Sequence, residues 1–114
     1  MDAGPHWAEA LARRTLEARG WATLDANVRT RGGELDLVME DAGVVVFVEV
    51  RQRRAGAAVA AAESLDERKQ RRVRRAALLW LARHGRHEAA VRFDAVLVDG
   101  GRSAPQLRHV RDAF

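Results

Sequence analysis

The segment VVVFVEVR, residues Val44–Arg51, constrains the fold more than any other part of the chain. Its β-branched and aromatic residues favour an extended strand, and a run this apolar is typical of a strand that is buried on both faces. Glu49 lies inside this run, where an ionised carboxylate without a partner is costly to bury. The segment therefore predicts a central strand that carries one acidic side chain in need of a partner.

A second strand with an acidic residue comes just before it. Glu34–Glu40 (ELDLVME) alternates polar and apolar residues through most of its length, as a strand with two different faces does. The turn residues Asp41-Ala42-Gly43 join the two segments and predict an antiparallel hairpin. With a two- or four-residue loop, Asp36 and Glu49 lie on the same face with Cβ atoms roughly 4.5–8 Å apart. A three-residue loop puts them on opposite faces.

The outer elements follow from periodicity and from turn signals. Apolar residues at helical spacing predict a first helix over His6–Arg19, and a short strand follows over Trp21–Val28. The capping box Ser64-Leu65-Asp66-Glu67 predicts that Ser64 caps a second helix, which runs to about His84. Apolar residues at helical spacing predict its buried side, which consists of Val73, Ala76, Ala77, Trp80 and Leu81. Val91–Asp99 is typical of a further strand.

The resulting order is αβββαβ, which predicts one α/β domain over residues 1–114, with a mixed β-sheet flanked by helices. Gln52–Glu63 is rich in small residues and is either a loop or a weak extension of the second helix. The tail from Leu107 to Phe114 is either a short strand or an end that docks on the fold.

Composition narrows the functional classes. The 114 residues contain no Cys, which excludes a disulfide framework, a thiolate zinc site and a cysteine nucleophile. No apolar run is long enough to span a bilayer, and the N-terminus shows no basic segment followed by an apolar one. We therefore expect a cytoplasmic protein that does not insert into a membrane.

The two acids of the hairpin point to a chemistry. Asp36 and Glu49 repel each other when they lie close together, and a cation between them removes the repulsion. Oxygen ligands without His or Cys suit Mg²⁺ or Mn²⁺. A hard cation held by carboxylates can activate water and stabilise charge on a phosphoryl oxygen. The alternative is that both acids pair with neighbouring arginines as ordinary strand charges, and the residues leave both interpretations open.

Two further residues are candidates for the same site. Arg51 shares a strand face with Glu49, so it either contacts a scissile phosphate in the transition state or pairs with the two acids. Glu9 lies at the edge of the apolar face of the first helix. It either orients a water at the cation, or joins the acids, or is a solvated helix residue.

A basic segment opens the second helix. The net charge is +4, and Lys69, the single lysine, lies in RKQRRVRR, where six of eight residues are basic. Such a segment favours contact with a phosphate backbone, while a solvated helix face is the alternative. DNA, or RNA in its place, is therefore the expected partner. The predicted contact residues are Arg53, Arg68, Lys69, Arg71, Arg72 and Arg75.

A series of short motifs resembles the YraN-like family of uncharacterised bacterial proteins. The most specific are GELDL (33–37) and FVEV (47–50), at this separation. Weaker collinear matches are Glu9-x-x-Ala12, Gly20-Trp21, Asn27-x-Arg29, Arg53, Lys69-x-x-Arg72, Arg92-Phe93-Asp94-x-Val96 and Ala113-Phe114. The family looks like a branch of the PD-(D/E)XK nuclease superfamily, related to archaeal Holliday-junction resolvases. The resemblance therefore implies a restriction-endonuclease-like core.

The resemblance also implies roles for individual residues. Asp36 and Glu49 would be the metal-binding acids, the carbonyl of Val50 a further metal ligand, and Glu9 a helper from the first helix. The family pattern ends in Glu-x-Lys, but Arg51 stands at the lysine position here. Arginine stays protonated and is a poor base, although it can stabilise developing negative charge. Lys69, on the second helix, is the other candidate for the role of the lysine in the family pattern.

The expected function is a Mg²⁺- or Mn²⁺-dependent endonuclease that acts on DNA, including branched intermediates. The first alternative is a nuclease-like module that binds nucleic acid but cuts it weakly or not at all. The second is a scaffold whose basic helix meets an acidic protein. A junction-resolving enzyme needs two active sites, so a homodimer is expected in the first case.

Overall fold

The sheet is mixed and carries one helix on each face. The structure, a computed structural model, describes residues 6–53 and 65–114, without the side chains of His6 and Arg53. The elements are α1 (His6–Ala18), β1 (Ala22–Arg29), β2 (Glu34–Asp41), β3 (Val44–Arg53), α2 (Glu67–Arg83), β4 (Val91–Asp99) and β5 (Gln106–Val110). Neighbouring strands lie in the order β1-β2-β3-β4-β5; β3 and β4 run parallel, and the other neighbours are antiparallel.

This architecture confirms the predicted α/β class with a mixed sheet flanked by helices. The predicted order αβββαβ gains one strand, because the tail forms β5 at the edge of the sheet. Neither helix in residues 6–53 and 65–114 is long and apolar enough to cross a membrane.

The two faces of β3 belong to two different core clusters. Val46 and Val48 pack with the apolar face of α1, whereas Val45 and Phe47 pack with α2. Glu49 continues the second set, because alternate residues of a strand share a face. The face of α2 that packs here is the predicted one, and consists of Val73, Ala76, Ala77, Trp80 and Leu81.

The loop of the hairpin determines how its two acids face each other. Asp41 pairs with Val44, so the loop has two residues, Ala42 and Gly43, with φ of 51° and 86°. Positive φ at both loop residues gives the turn whose twist matches the flanking strands. The same register pairs Leu37 with Val48, so Asp36 and Glu49 are the residues that directly adjoin this last pair.

The start of α2 differs from the prediction. Asp66 is its N-cap, with extended backbone and a side-chain oxygen that accepts a hydrogen bond from the Lys69 N–H at 2.9 Å. Because Asp66 holds the cap position, the prediction that Ser64 caps this helix is wrong; Ser64 itself lies outside the described residues. Aspartate caps a helix as well as serine does, and Asp66 offers its carboxylate two residues later. The helix ends at Arg83, one residue before the predicted end.

A buried acid on β4 holds the tail of the chain against the sheet. Asp94 is fully buried and accepts hydrogen bonds from Arg92 at 2.9 and 3.0 Å, from His109 at 2.7 Å, and from the Asp112 N–H at 3.1 Å. Burial alone would raise the pKa of Asp94, but the hydrogen bonds from His109 and Arg92 outweigh it and hold the pKa below its usual range. We assign Asp94 a structural role on this basis.

Candidate functional site

The candidate site lies where β2 and β3 separate. Their paired register ends at Leu37 and Val48. The next contact is made by a side chain, because the Val50 N–H donates to Oδ2 of Asp36 at 2.9 Å. Leu35 and Leu37 pack on opposite faces of the sheet, although they are two residues apart. The alternation of β2 therefore breaks at Asp36, and breaks of this kind commonly redirect a side chain in a sheet.

Asp36 and Glu49 form a carboxyl pair at this point. Glu49 is only 4% exposed and Asp36 is half-buried, and the two carboxyl groups lie close enough for each to shift the pKa of the other. Burial, together with the negative charge of Asp36, raises the pKa of Glu49 to about 7. Burial also raises the pKa of Asp36. Near neutral pH the pair therefore shares protons instead of carrying two full negative charges.

Two cationic side chains contact the same oxygen of Glu49. Nζ of Lys69 lies 3.3 Å from Oε2, and Nη1 of Arg51 lies 3.7 Å from it. Both cations lower the pKa of Glu49, but burial and Asp36 have the larger effect. The structure thus places Arg51 beside the acids and brings Lys69 to them from α2.

The position of Lys69 has a signal in the sequence. Lys69 precedes Val73 by four residues, and side chains at this spacing share a helix face. Val73 was expected to point inward, so the same pattern puts Lys69 at the inner edge of the helix, one turn nearer its start.

The first turns of α2 and the end of β3 enclose a basic cleft of about 340 Å³. We define the basic cleft by its lining residues, which are Arg51, Asp66, Arg68, Lys69 and Arg72. Three of the six predicted nucleic-acid contacts lie in it, namely Arg68, Lys69 and Arg72.

Of the other three predicted contacts, Arg71 and Arg75 are not among the described residues that line the cleft. Arg71 is exposed and lies 3.9 Å from Glu67 in an ion pair along the helix. Arg75 packs against the β1–β2 turn, since a Cβ at Gly32 would meet its Cγ at 2.7 Å. Arg53 ends β3, and its side chain lies outside the described part of the chain.

A second cleft connects Asp36 with α1. It has a volume of about 220 Å³ and is lined by Glu9, Asn27 and Asp36, together with Val28, Arg29, Glu34 and Leu35. The structure therefore brings Glu9 to the same cleft as Asp36. Asn27 was not singled out from the sequence. Its backbone has a φ of 52°, and the β1–β2 register places it across from Asp36. Its one sequence signal was its place in the motif Asn27-x-Arg29.

Comparison with known proteins identifies the family. The model of the uncharacterised protein family UPF0102 matches residues 8–98. The chain belongs to UPF0102. A UPF0102 protein of Halorhodospira halophila (strain DSM 244 / SL1) is 50% identical over 107 residues, which cover 94% of this chain and 83% of the relative. A UPF0102 protein of Anaeromyxobacter dehalogenans (strain 2CP-C) is 48% identical, covering 93% and 79%.

The YraN relationship is also confirmed. The UPF0102 protein YraN of Salmonella arizonae (strain ATCC BAA-731 / CDC346-86 / RSK2980) is 46% identical over 115 residues, which cover 99% of this chain and 84% of the relative. UPF0102 is an uncharacterised family, so membership establishes the relatives of this chain and leaves its activity as a prediction.

The acid pair of this UPF0102 chain suits a divalent cation. Within residues 6–53 and 65–114, no three His, Cys, Asp or Glu side chains converge as metal ligands, so the candidate ligands are the two carboxylates. Mg²⁺ is commonly held by one or two carboxylates and keeps several waters. A divalent cation would also relieve the repulsion between Asp36 and Glu49. Val50 contacts Asp36 through its N–H, and a role for its carbonyl as a ligand stays a prediction.

Proposed function

We propose that this UPF0102 protein is a Mg²⁺- or Mn²⁺-dependent nuclease that hydrolyses phosphodiester bonds in DNA. The carboxyl pair of Asp36 and Glu49 carries the proposal. Two neighbouring acids lie where two strands separate, the pKa of Glu49 is about 7, and a basic cleft adjoins them. Perturbed acids of this kind cluster at functional sites, because an arrangement that is costly for folding persists where it is used.

The acidic and the basic side chains of the site have different roles in this proposal. Asp36 and Glu49 would hold the cation, which supplies Lewis acidity and lowers the pKa of a water molecule when it is bound. Arg51 is always protonated, so it stabilises negative charge on a phosphoryl oxygen instead of accepting a proton. The arginines of the basic cleft would hold the phosphate backbone beside the acids.

A second candidate function is nucleic-acid binding without cleavage. Arg51 favours it, because a residue that cannot act as a base stands where the related nuclease pattern has lysine. Binding that needs no cation, and that survives loss of both acids, would support this candidate. Either function predicts an affinity that falls steeply with salt concentration, since phosphate contacts release counterions.

The decisive experiment is a cleavage assay on labelled single-stranded, duplex, flap and four-way-junction DNA, with a labelled RNA alongside. Each substrate is incubated with Mg²⁺, with Mn²⁺ and with EDTA. We expect cation-dependent cutting that is lost in Asp36→Asn and in Glu49→Gln. Glu88→Gln is the matched control, because Glu88 is an exposed acid outside the site.

Two results would decide against a nuclease. One is the absence of cutting by the folded wild-type protein with either cation on every substrate. The other is cutting that persists in both acid variants. The first result, together with retained binding, would favour the module that binds without cleaving.

A further inference from the structure

We propose that the basic cleft binds one phosphate group, and that Lys69 couples this binding to cation binding at Asp36 and Glu49. The inference rests on the proposed cation site. It adds a ligand for the cleft and a physical link between the two sites.

The charge of the cleft selects an anion. Among the described lining residues, four positive charges, from Arg51, Arg68, Lys69 and Arg72, stand against one negative charge from Asp66. One oxygen of Asp66 is occupied in capping the helix through the Lys69 N–H. Guanidinium and ammonium groups form short, charge-assisted hydrogen bonds with phosphate oxygens. A cleft of about 340 Å³ has room for a phosphate group with water around it.

Lys69 belongs to both sites. Its side chain lines the basic cleft, and its Nζ lies 3.3 Å from Oε2 of Glu49. Its backbone is fixed, because its N–H is bonded to the capping carboxylate at 2.9 Å. A lysine ammonium sits on a flexible four-carbon stem. Nζ can therefore move between Glu49 and the cleft while the helix stays in place.

This arrangement links the two ligands. Without a divalent cation, Lys69 partly neutralises Glu49. A divalent cation between Asp36 and Glu49 takes over that neutralisation and repels the ammonium group, which then becomes available to a phosphate in the cleft. In the reverse direction, a phosphate draws Lys69 away and leaves Glu49 more negative for the cation. By linkage, each ligand raises the affinity for the other by the same factor.

The coupling should be modest. The Lys69 side chain is 38% exposed, so solvent screens part of its interaction with both partners. We expect a factor of about 5–20, towards the lower end of typical coupling between two sites.

Calorimetric titration of the full-length protein with inorganic phosphate tests the proposal, with correction for magnesium phosphate formed in solution. The dissociation constant of the wild type should be about 5–20-fold lower with Mg²⁺ than without it. Lys69→Met should reduce this ratio towards about 1, because it removes the shared cation that lies nearer to Glu49; Arg51, which also lines the cleft, lies 3.7 Å from Oε2. Arg71→Met is the control, since it removes one positive charge from α2 outside the cleft and should leave the ratio unchanged.

A second variant tests the same link from the acid side. Glu49→Gln removes the negative charge that holds the Lys69 ammonium group when no Mg²⁺ is bound. This variant should bind phosphate in EDTA about as tightly as the wild type does with Mg²⁺. Unchanged phosphate affinity in EDTA would show that Glu49 does not hold Lys69 away from the cleft, and would overturn the coupling.

Two further outcomes would contradict the proposal. If the wild-type protein shows no saturable phosphate binding, phosphate is not a ligand of the basic cleft. A coupling ratio that is unchanged in Lys69→Met would show that Lys69 does not carry the coupling. These experiments measure binding, so their outcome is independent of the cleavage assay. Coupled binding without cleavage would support this inference and contradict the proposed nuclease activity. Cleavage without coupling would support the nuclease activity and contradict this inference.

Discussion

Replacing Glu49 by glutamine should stabilise the cation-free protein at pH 8 and leave its stability near pH 4.5 almost unchanged. The pKa of Glu49 rises from 4.5 to about 7 on folding, because burial and the charge of Asp36 disfavour the ionised form. The folded state therefore binds this proton more tightly than the unfolded state does. The stabilisation is complete below pH 4.5 and is lost as the pH rises through 7.

The size of the effect follows from the shift. One pKa unit corresponds to about 1.4 kcal/mol, so the loss between pH 4.5 and pH 8 is about 3 kcal/mol. Solvent screening reduces this little, because Glu49 is only 4% exposed. Sharing of the proton with Asp36 makes the figure an upper value for Glu49 alone. Glutamine has almost the same shape and never ionises, so the variant avoids the loss.

Urea unfolding in EDTA at several pH values between 4.5 and 8.5 measures the difference between wild type and variant. Other titrating groups largely cancel in this difference. The contribution of Asp94 lies outside the window, because its lowered pKa means that stability is lost only as the pH falls through that value. Glu88→Gln should show no such pH-dependent gain. A Glu49→Gln protein that is less stable than wild type at pH 8, or a difference that does not change with pH, would refute the reasoning.

Three further substitutions test the framework around the site by urea midpoint at constant m-value. Asp94→Asn should cost about 3 kcal/mol, because it removes the fully buried carboxylate that pairs with Arg92 and leaves Arg92 with Asp41 at 3.5 Å; a loss below 1 kcal/mol would contradict this. Asp66→Ala should cost about 1 kcal/mol by removing the cap of α2, and no loss would contradict the capping role. Gly33→Ala should cost about 1–3 kcal/mol, because φ is +153° and the new Cβ would lie 3.1 Å from the Arg72 carbonyl oxygen; a neutral result would be contrary to the strain expected there.

The hairpin and its acids were predictable because strand geometry is periodic. Alternation in β2 and the β-branched run of β3 defined the strands. Because side chains alternate between the two faces of a strand, Asp36 and Glu49 had to lie either on the same face of the hairpin or on opposite faces. The length of the loop remained open, since Asp41 belongs equally well to the turn or to the strand. The structure resolves this by pairing Asp41 with Val44, and the two acids then adjoin the last pair of the hairpin, Leu37 and Val48.

Features that depend on contacts distant in sequence were not predictable from local patterns. The break of β2 at Asp36 involves the Val50 N–H, fourteen residues away. Asp94 is satisfied by His109 on β5 and by the Asp112 N–H in the tail. No local periodicity specifies such partners. The predicted cap of α2 was wrong for a different reason. Serine and aspartate both cap helices well, and the sequence alone does not rank Ser64 against Asp66.

The basic segment of α2 shows how packing divides a run of similar charges. Arg74 lies over the ring of Phe93 at 4.8 Å, and Arg71 pairs with Glu67 in solvent. Lys69 instead shares the helix face of Val73, whose burial against the sheet brings the ammonium group to Glu49. A solvated helix face therefore describes Arg71 but not Lys69. Because the docking of α2 sets the distance between Lys69 and Glu49, the charge balance of the candidate site is a consequence of core packing and not of surface composition.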